Sequence, residues 1–172
     1  MSIDKSVKEE KGGVISITGK DNEEMYLYSI LPEAIIKEKG LLNVAVVGQF
    51  SDTKKDKKDN IVVDAFQANP DFVNFFHEFL ANVARYSKPL LAQLPQQKEG
   101  SWLYLIDQRV KDVNAAIEPK DIIGGFMVEK GQLGEYAGNP SHELLTEDGI
   151  FHIGVELKNE LINLIQSKYQ PN

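Results

Sequence analysis

The chain has 172 residues, of which 42% are hydrophobic, so it is long and apolar enough to bury a core rather than remain disordered. It contains no cysteine, which excludes disulfides and thiolate metal ligands. It shows neither a signal-peptide pattern nor a run of about 18 apolar residues. The sequence therefore predicts a soluble, cytoplasmic protein with no membrane contact.

The net charge of −7 lies almost entirely in the last third of the chain. Residues 112–172 carry ten acidic and four basic side chains (−6), whereas residues 1–111 carry sixteen and fifteen (−1). Such a field repels phosphate backbones, and only Arg85 and Arg109 offer the planar fork that grips phosphate. This balance argues against nucleic acid as a partner, while an acidic C-terminal face suits a basic protein partner or a divalent cation. A homo-oligomer stays open, and a solvated acidic face is the simplest alternative.

Strand patterns dominate the first 66 residues. The first thirteen residues are polar and are expected to be flexible, so the predicted single domain covers 14–172. Alternating or β-branched apolar runs, separated by turn residues, predict two strand pairs. The predicted strands are 14–18 with 25–31, and 41–50 with 60–66.

A long helix is predicted over residues 70–87, with a kink near Pro89. Asn69, Pro70 and Asp71 form a typical helix start: a capping side chain, a proline in the first turn and an acid at the positive end of the dipole. One arc of the helical wheel is apolar, which indicates burial against a sheet, with a partner-docking groove as the alternative. The arc contains Phe72, Phe75, Phe76, Phe79, Val83, Tyr86 and Leu90.

The last third predicts three further strands and a C-terminal amphipathic helix. Residues 101–107, SWLYLID, are apolar on both faces, which is typical of a central strand covered on each side. A hairpin follows, with Gly131 where the turn needs a positive φ. Residues 155–169 show a helical apolar stripe. Grouped elements joined by short turns predict an α+β fold, with one mostly antiparallel sheet of about six to seven strands and one long buried helix.

Residues 142–150, HELLTEDGI, resemble part of the metal-binding box of the Nudix hydrolases. Five positions match the family pattern, namely Glu143, Leu144, Glu147, Gly149 and Ile150. His142 replaces the family's arginine, Thr146 replaces one glutamate of the metal-binding pair, and Pro140 interrupts the helix that carries the box. The resemblance implies, as an alternative function, a divalent-metal-dependent hydrolase with a degenerate site around 142–152.

Two histidines flank the same turn and provide a second reason to consider a metal. His142, Glu147 and His152 are the candidate ligands. The helical spacing that places two histidines on one face is absent, and a buried, hydrogen-bonded histidine is the competing interpretation. The sequence predicts no cofactor, and it names no catalytic residue.

Polar side chains follow two of the predicted strands and define a candidate pocket. Asp107 and Arg109 come where the apolar strand ends, and functional groups often collect at strand ends. If the strand ends meet, the pocket combines a cation, an acid and an imidazole; the alternative is a surface Asp–Arg pair beside turn residues. The candidate residues are Asp107, Arg109, Tyr136, Asn139, His142 and Glu143. The function expected from the sequence is a small binding or regulatory module acting through protein contacts.

Overall fold

A computed structural model describes residues 14–18, 24–51, 65–112 and 115–169. The expected flexible segment 1–13 and most of the predicted strand 60–66 lie outside these residues. The helices are α1 (Glu33–Lys39), α2 (Pro70–Val83), α3 (Lys88–Leu91) and α4 (Val155–Gln166). The strands are β1 (Val14–Thr18), β2 (Glu24–Ser29), β3 (Val46–Ser51), β4 (Gln67–Ala68), β5 (Trp102–Ile106), β6 (Ile122–Glu129), β7 (Gln132–Gly138), β8 (Leu145–Thr146) and β9 (Gly149–Ile150).

The chain divides into two compact units, 1–75 with 162–172 and 76–161. The prediction of a single domain over 14–172 stays a prediction. The first unit contains an antiparallel sheet in the order β1-β2-β3-β4. Asn69 caps α2 here, because its Oδ1 accepts from the Asp71 main-chain amide at 3.2 Å while its Nδ2 donates to the Val46 carbonyl at 2.9 Å. The predicted helix start is therefore confirmed, and it is anchored to β3.

The second unit contains an antiparallel sheet in the order β5-β6-β7 and the separate hairpin β8-β9. The turn between β6 and β7 is two residues long, and Lys130 and Gly131 both have positive φ, 53° and 71°. This geometry matches the right-handed twist of the strands and confirms the prediction for Gly131. Phe76 of α2 packs its ring 4.9 Å from Phe151 within this unit.

The α+β class is confirmed, but the prediction of one sheet of six to seven strands is wrong. The described strands form three small antiparallel sheets of four, three and two strands. Helices α2 and α3 separate β4 from β5 along the chain, and β8 pairs with β9 alone among the described strands. Alternating hydrophobicity identifies a strand but not its partner, which explains the error.

The predicted long helix ends earlier than 87. α2 stops at Val83, a 3-10 turn follows over Ala84–Tyr86, and α3 begins at Lys88 with Pro89 in its first turn. Four residues of the apolar arc are buried, as predicted, namely Phe72, Phe76, Phe79 and Leu90. It fails at Tyr86, which is 73% exposed, because the tighter 3-10 turn rotates this residue out of the helical register.

β5 lies at the edge of its sheet, not at the centre as predicted. Among the described strands it pairs with β6 alone, and Tyr104 is 50% exposed. An apolar pattern on both faces is shared by covered central strands and by strands with an exposed binding face, so it does not distinguish them.

The C-terminal amphipathic helix is present as α4, in which Leu161, Ile162 and Ile165 are buried. No helix in the described ranges has both the length and the apolar character needed to cross a bilayer.

Candidate functional site

Asp107 is a fully buried carboxylate directly after β5. Its Oδ2 accepts from His142 Nε2 at 2.9 Å. Its Oδ1 accepts from the main-chain amides of Arg109 and His152, at 3.1 and 2.9 Å. A buried charge is tolerated only when its oxygens are paired, and both oxygens of Asp107 are paired.

Arg109 is buried beside Asp107, and its guanidinium joins separate segments of the chain. Its Nε donates to Asp121 Oδ1 at 3.2 Å and lies 3.6 Å from Asp107 Oδ2. Nη1 donates to the Gly149 carbonyl at 3.2 Å. Nη2 donates to the carbonyls of Lys120 and Glu143, at 3.1 and 2.6 Å. The planar five-donor fork suits this role, because one side chain satisfies carbonyls from three segments.

Asp107, Arg109, Asp121 and His142 therefore form one buried ionic cluster. Each side chain is in a hydrogen bond or ion pair with another member. The alternative of a surface Asp–Arg pair does not match this burial. The sequence analysis did not identify Asp121 as a member of this cluster. The feature that could have indicated it is its position, two residues after Pro119 and immediately before β6.

Tyr136 contacts His77 of α2, a histidine that the sequence did not assign to the candidate pocket. The Tyr136 hydroxyl lies 2.7 Å from His77 Nδ1. Burial raises the pKa of Tyr136, so the phenol stays protonated. Burial, and next the charge of His142, lower the pKa of His77 below its usual 6.5. A neutral imidazole with its proton on Nε2 accepts a hydrogen bond from the Tyr136 hydroxyl at Nδ1.

Asn139 and Glu143 contribute to the frame of the cluster. Asn139 Nδ2 donates to the carbonyls of Pro119 and Ile122, at 2.7 and 2.8 Å, and its Oδ1 accepts from the Ser141 amide. Glu143 joins through its main chain, while its side chain is exposed. The structure thus brings Asp107, Arg109, His142 and the Glu143 backbone together.

The candidate metal ligands have other contacts. Glu147 is 80% exposed and bonds Lys120 Nζ at 3.2 Å; a hydrogen bond from its own main-chain amide, then Lys120, lower its pKa. His152 Nδ1 accepts from the Gly154 amide at 3.2 Å. No group of three His, Asp or Glu residues able to hold a metal is found within the described residues. Residues 145–150 form the β8–β9 hairpin instead of a helix.

An apolar groove lies beside the end of β5, at residues 104–106. Its volume is about 440 Å³, and its walls come from α2, α3, the residues after Ile106 and the first turn of α4. In the part of the chain that the structure describes, the lining includes one charged side chain, the carboxylate of Glu156. Its main apolar members are Leu80, Leu90, Tyr104, Ile123, Ile153 and Val155.

A second concave surface, which we call the shelf, lies on the outer face of the β5-β6-β7 sheet. Its volume is about 330 Å³, and Trp102 and Tyr104 stand beside the side-chain-free backbone of Gly125. A Cβ on Gly125 would lie 3.2 Å from the Tyr104 ring and 3.4 Å from the Trp102 ring. Pro119 and Pro140 complete the rim. Tyr104 belongs to both the groove and the shelf, and the sequence did not single it out.

Comparison with known proteins gives no match to a family model, a curated protein or a solved structure.

Proposed function

We propose that this chain is a binding module that holds a protein partner at the groove and shelf on either side of Tyr104. The observation that carries the proposal is the exposure of this residue: a half-exposed aromatic side chain on a strand that is apolar on both faces, between two concave surfaces. Exposed apolar surfaces of this kind are typical of interaction sites.

The buried ionic cluster supports the proposal as a rigid frame. Asp107 and Arg109 follow closely after β5 and connect it to the 3-10 turn that ends at Asp121 and to Gly149 of β9. A preorganised surface loses less entropy on binding, which favours affinity. No catalytic step is assigned to the cluster, because its polar atoms are directed at one another.

Selection from a phage-displayed library of random linear peptides tests the proposal. Peptides without tryptophan that bind the immobilised chain are measured in solution by the fluorescence of Trp102, the single tryptophan. Binding is expected to fall at least about tenfold in Tyr104→Lys and in Val155→Lys, because each puts a charge on an exposed apolar position.

The matched control is Tyr86→Lys, which alters an exposed tyrosine of the same unit outside the groove and the shelf. This variant is expected to bind as the unmodified chain does. A selection that yields no binder, or binders indifferent to both Tyr104→Lys and Val155→Lys, would overturn the proposal.

A further inference from the structure

We propose that the partner contributes an extended segment that pairs with β5 as an additional strand. This inference rests on the proposed function and specifies how the groove is used. Peptides that extend a sheet gain affinity from main-chain hydrogen bonds and specificity from alternate side chains. Three features of β5 point to this mode: its free main-chain edge, its unprotected composition and the walls of the groove.

The main chain of β5 has a free edge. In an antiparallel ladder, hydrogen-bonded pairs alternate with pairs whose amides and carbonyls point away from the partner strand. The Val128 amide donates to the Ser101 carbonyl at 2.8 Å, which assigns the odd-numbered residues of β5 to the ladder with β6. The main-chain groups of Trp102 and Tyr104 therefore point outward. Within the described residues, no main-chain hydrogen bond from another segment reaches either of them.

The composition of β5 lacks the usual protection of an edge strand. In natural sheets, charged side chains, prolines or a covering segment protect an edge strand from pairing with another chain. β5 reads WLYLI, with neither a charge nor a proline, and only a register shift at Leu105/Ile106 interrupts its ladder. Such an edge attracts an additional strand.

The groove is formed partly by β5 itself, so a segment added to β5 would contact the groove. Residues 104–106 of β5 line it, and Leu90 of α3 and Val155 of α4 stand on its walls. Side chains of a strand alternate between faces, so an added segment would place one residue in the groove and the next beside Tyr104 on the shelf. A second copy of this chain that paired through its own β5 would bring another unit of the same negative charge alongside, which favours a separate, basic segment as the occupant.

Charge specifies the chemistry of the segment. Among the described residues that line the groove, Glu156 is the one carboxylate and there is no Lys or Arg. The unit 76–161 carries thirteen acidic and eight basic side chains, a balance of −5. The segment that fits combines an apolar side chain for the groove with a nearby Lys or Arg facing Glu156.

N-methylation of a selected peptide, one amide at a time, tests the added strand. Methylation removes a donor and blocks close approach, so binding should fall about tenfold or more at every second position and change little between them. In Glu156→Lys, binding of a lysine-containing peptide should fall, and a Lys→Glu change in that peptide should restore it. Tyr86→Lys again serves as the control.

The outcomes separate the two proposals. Peptides that respond to Tyr104→Lys and Val155→Lys but show no alternation on N-methylation would overturn the added strand and leave the proposed function standing. Peptides indifferent to those two substitutions would overturn the proposed function itself. A concentration-dependent dimer in sedimentation that is lost in Tyr104→Lys would identify a second copy as the occupant and overturn the peptide assignment.

Discussion

His142 Nε2 lies 2.9 Å from Asp107 Oδ2, and both side chains are shielded from solvent, at 3% and 0% exposure. Arg109 lies on the same carboxylate, with its Nε 3.6 Å from Oδ2. The carboxylate is therefore shared by an imidazole, a guanidinium and two main-chain amides. Removing any one partner leaves a buried polar group unpaired, which is costly in a low-dielectric interior.

Asp107→Asn should destabilise the protein by about 3 kcal/mol, because it removes the negative charge beside Arg109 while keeping the volume of the side chain. Urea unfolding measures the change. Glu143→Gln is the control, since Glu143 contributes only its main chain to the cluster, and its effect should stay within about 0.5 kcal/mol. Equal unfolding midpoints for Asp107→Asn and the unmodified chain would contradict this account.

Arg109→Lys should destabilise the protein by more than about 2 kcal/mol although the charge is kept. A lysine ammonium cannot reach Asp121 and the carbonyls of Gly149 and Glu143 together, so buried acceptors lose their donors. Arg85→Lys provides the comparison, because Arg85 donates to two part-buried carbonyls and packs over the Phe126 ring, a contact that a lysine ammonium can keep. The free energy of unfolding should be much lower in Arg109→Lys than in Arg85→Lys. The reverse order would refute the role given to Arg109.

Part of this arrangement was readable from the sequence. The position of Asp107 and Arg109 after an apolar strand indicated that polar groups gather there, and the Asn69-Pro70-Asp71 start of α2 was correct because capping is a local interaction. The pairing partners were not readable. Asp121 joins the cluster through the β5–β6 register, and the edge position of β5 depends on which strands pair, which local patterns do not encode.

Acidification should weaken the fold through His77. The pKa of His77 is lowered by burial and by His142. Below a pH of about 6.5 the unfolded chain therefore binds a proton at His77 that the folded chain does not bind. Stability should therefore fall as the pH drops from about 6.5 toward the lowered pKa and then level off for this group. His77→Asn keeps an acceptor for Tyr136 but does not titrate. Denaturant unfolding between about pH 7 and 5.5 should show a smaller slope in the variant; identical slopes would rule out His77 as the source.

Divalent metals should leave the melting temperature unchanged. His142 bonds Asp107, Glu147 bonds Lys120, and His152 Nδ1 accepts from the Gly154 amide, so the candidate ligands have protein partners. Thermal melting of chelator-treated protein with added Mg²⁺, Mn²⁺ or Zn²⁺ checks this. A stabilising shift that disappears in Glu147→Ala would instead support the metal-dependent hydrolase as the function.

Gly124→Ala should destabilise the second unit, because a methyl group at this position has no room beside Tyr136 and Ala137 of β7. A Cβ at this position would lie 2.6 Å from the Tyr136 hydroxyl and 2.7 Å from the Ala137 carbonyl, and Tyr136 is held by His77. Overpacking of this kind costs about 1–3 kcal/mol. Gly134→Ala is the control: its Cβ would come 2.8 Å from the Glu129 carboxylate, but that exposed side chain can rotate away, so the change should stay within about 0.5 kcal/mol. Urea unfolding of both variants measures the change in the free energy of unfolding. Equal decreases for Gly124→Ala and Gly134→Ala would show that the cost of replacing a strand glycine does not depend on Tyr136.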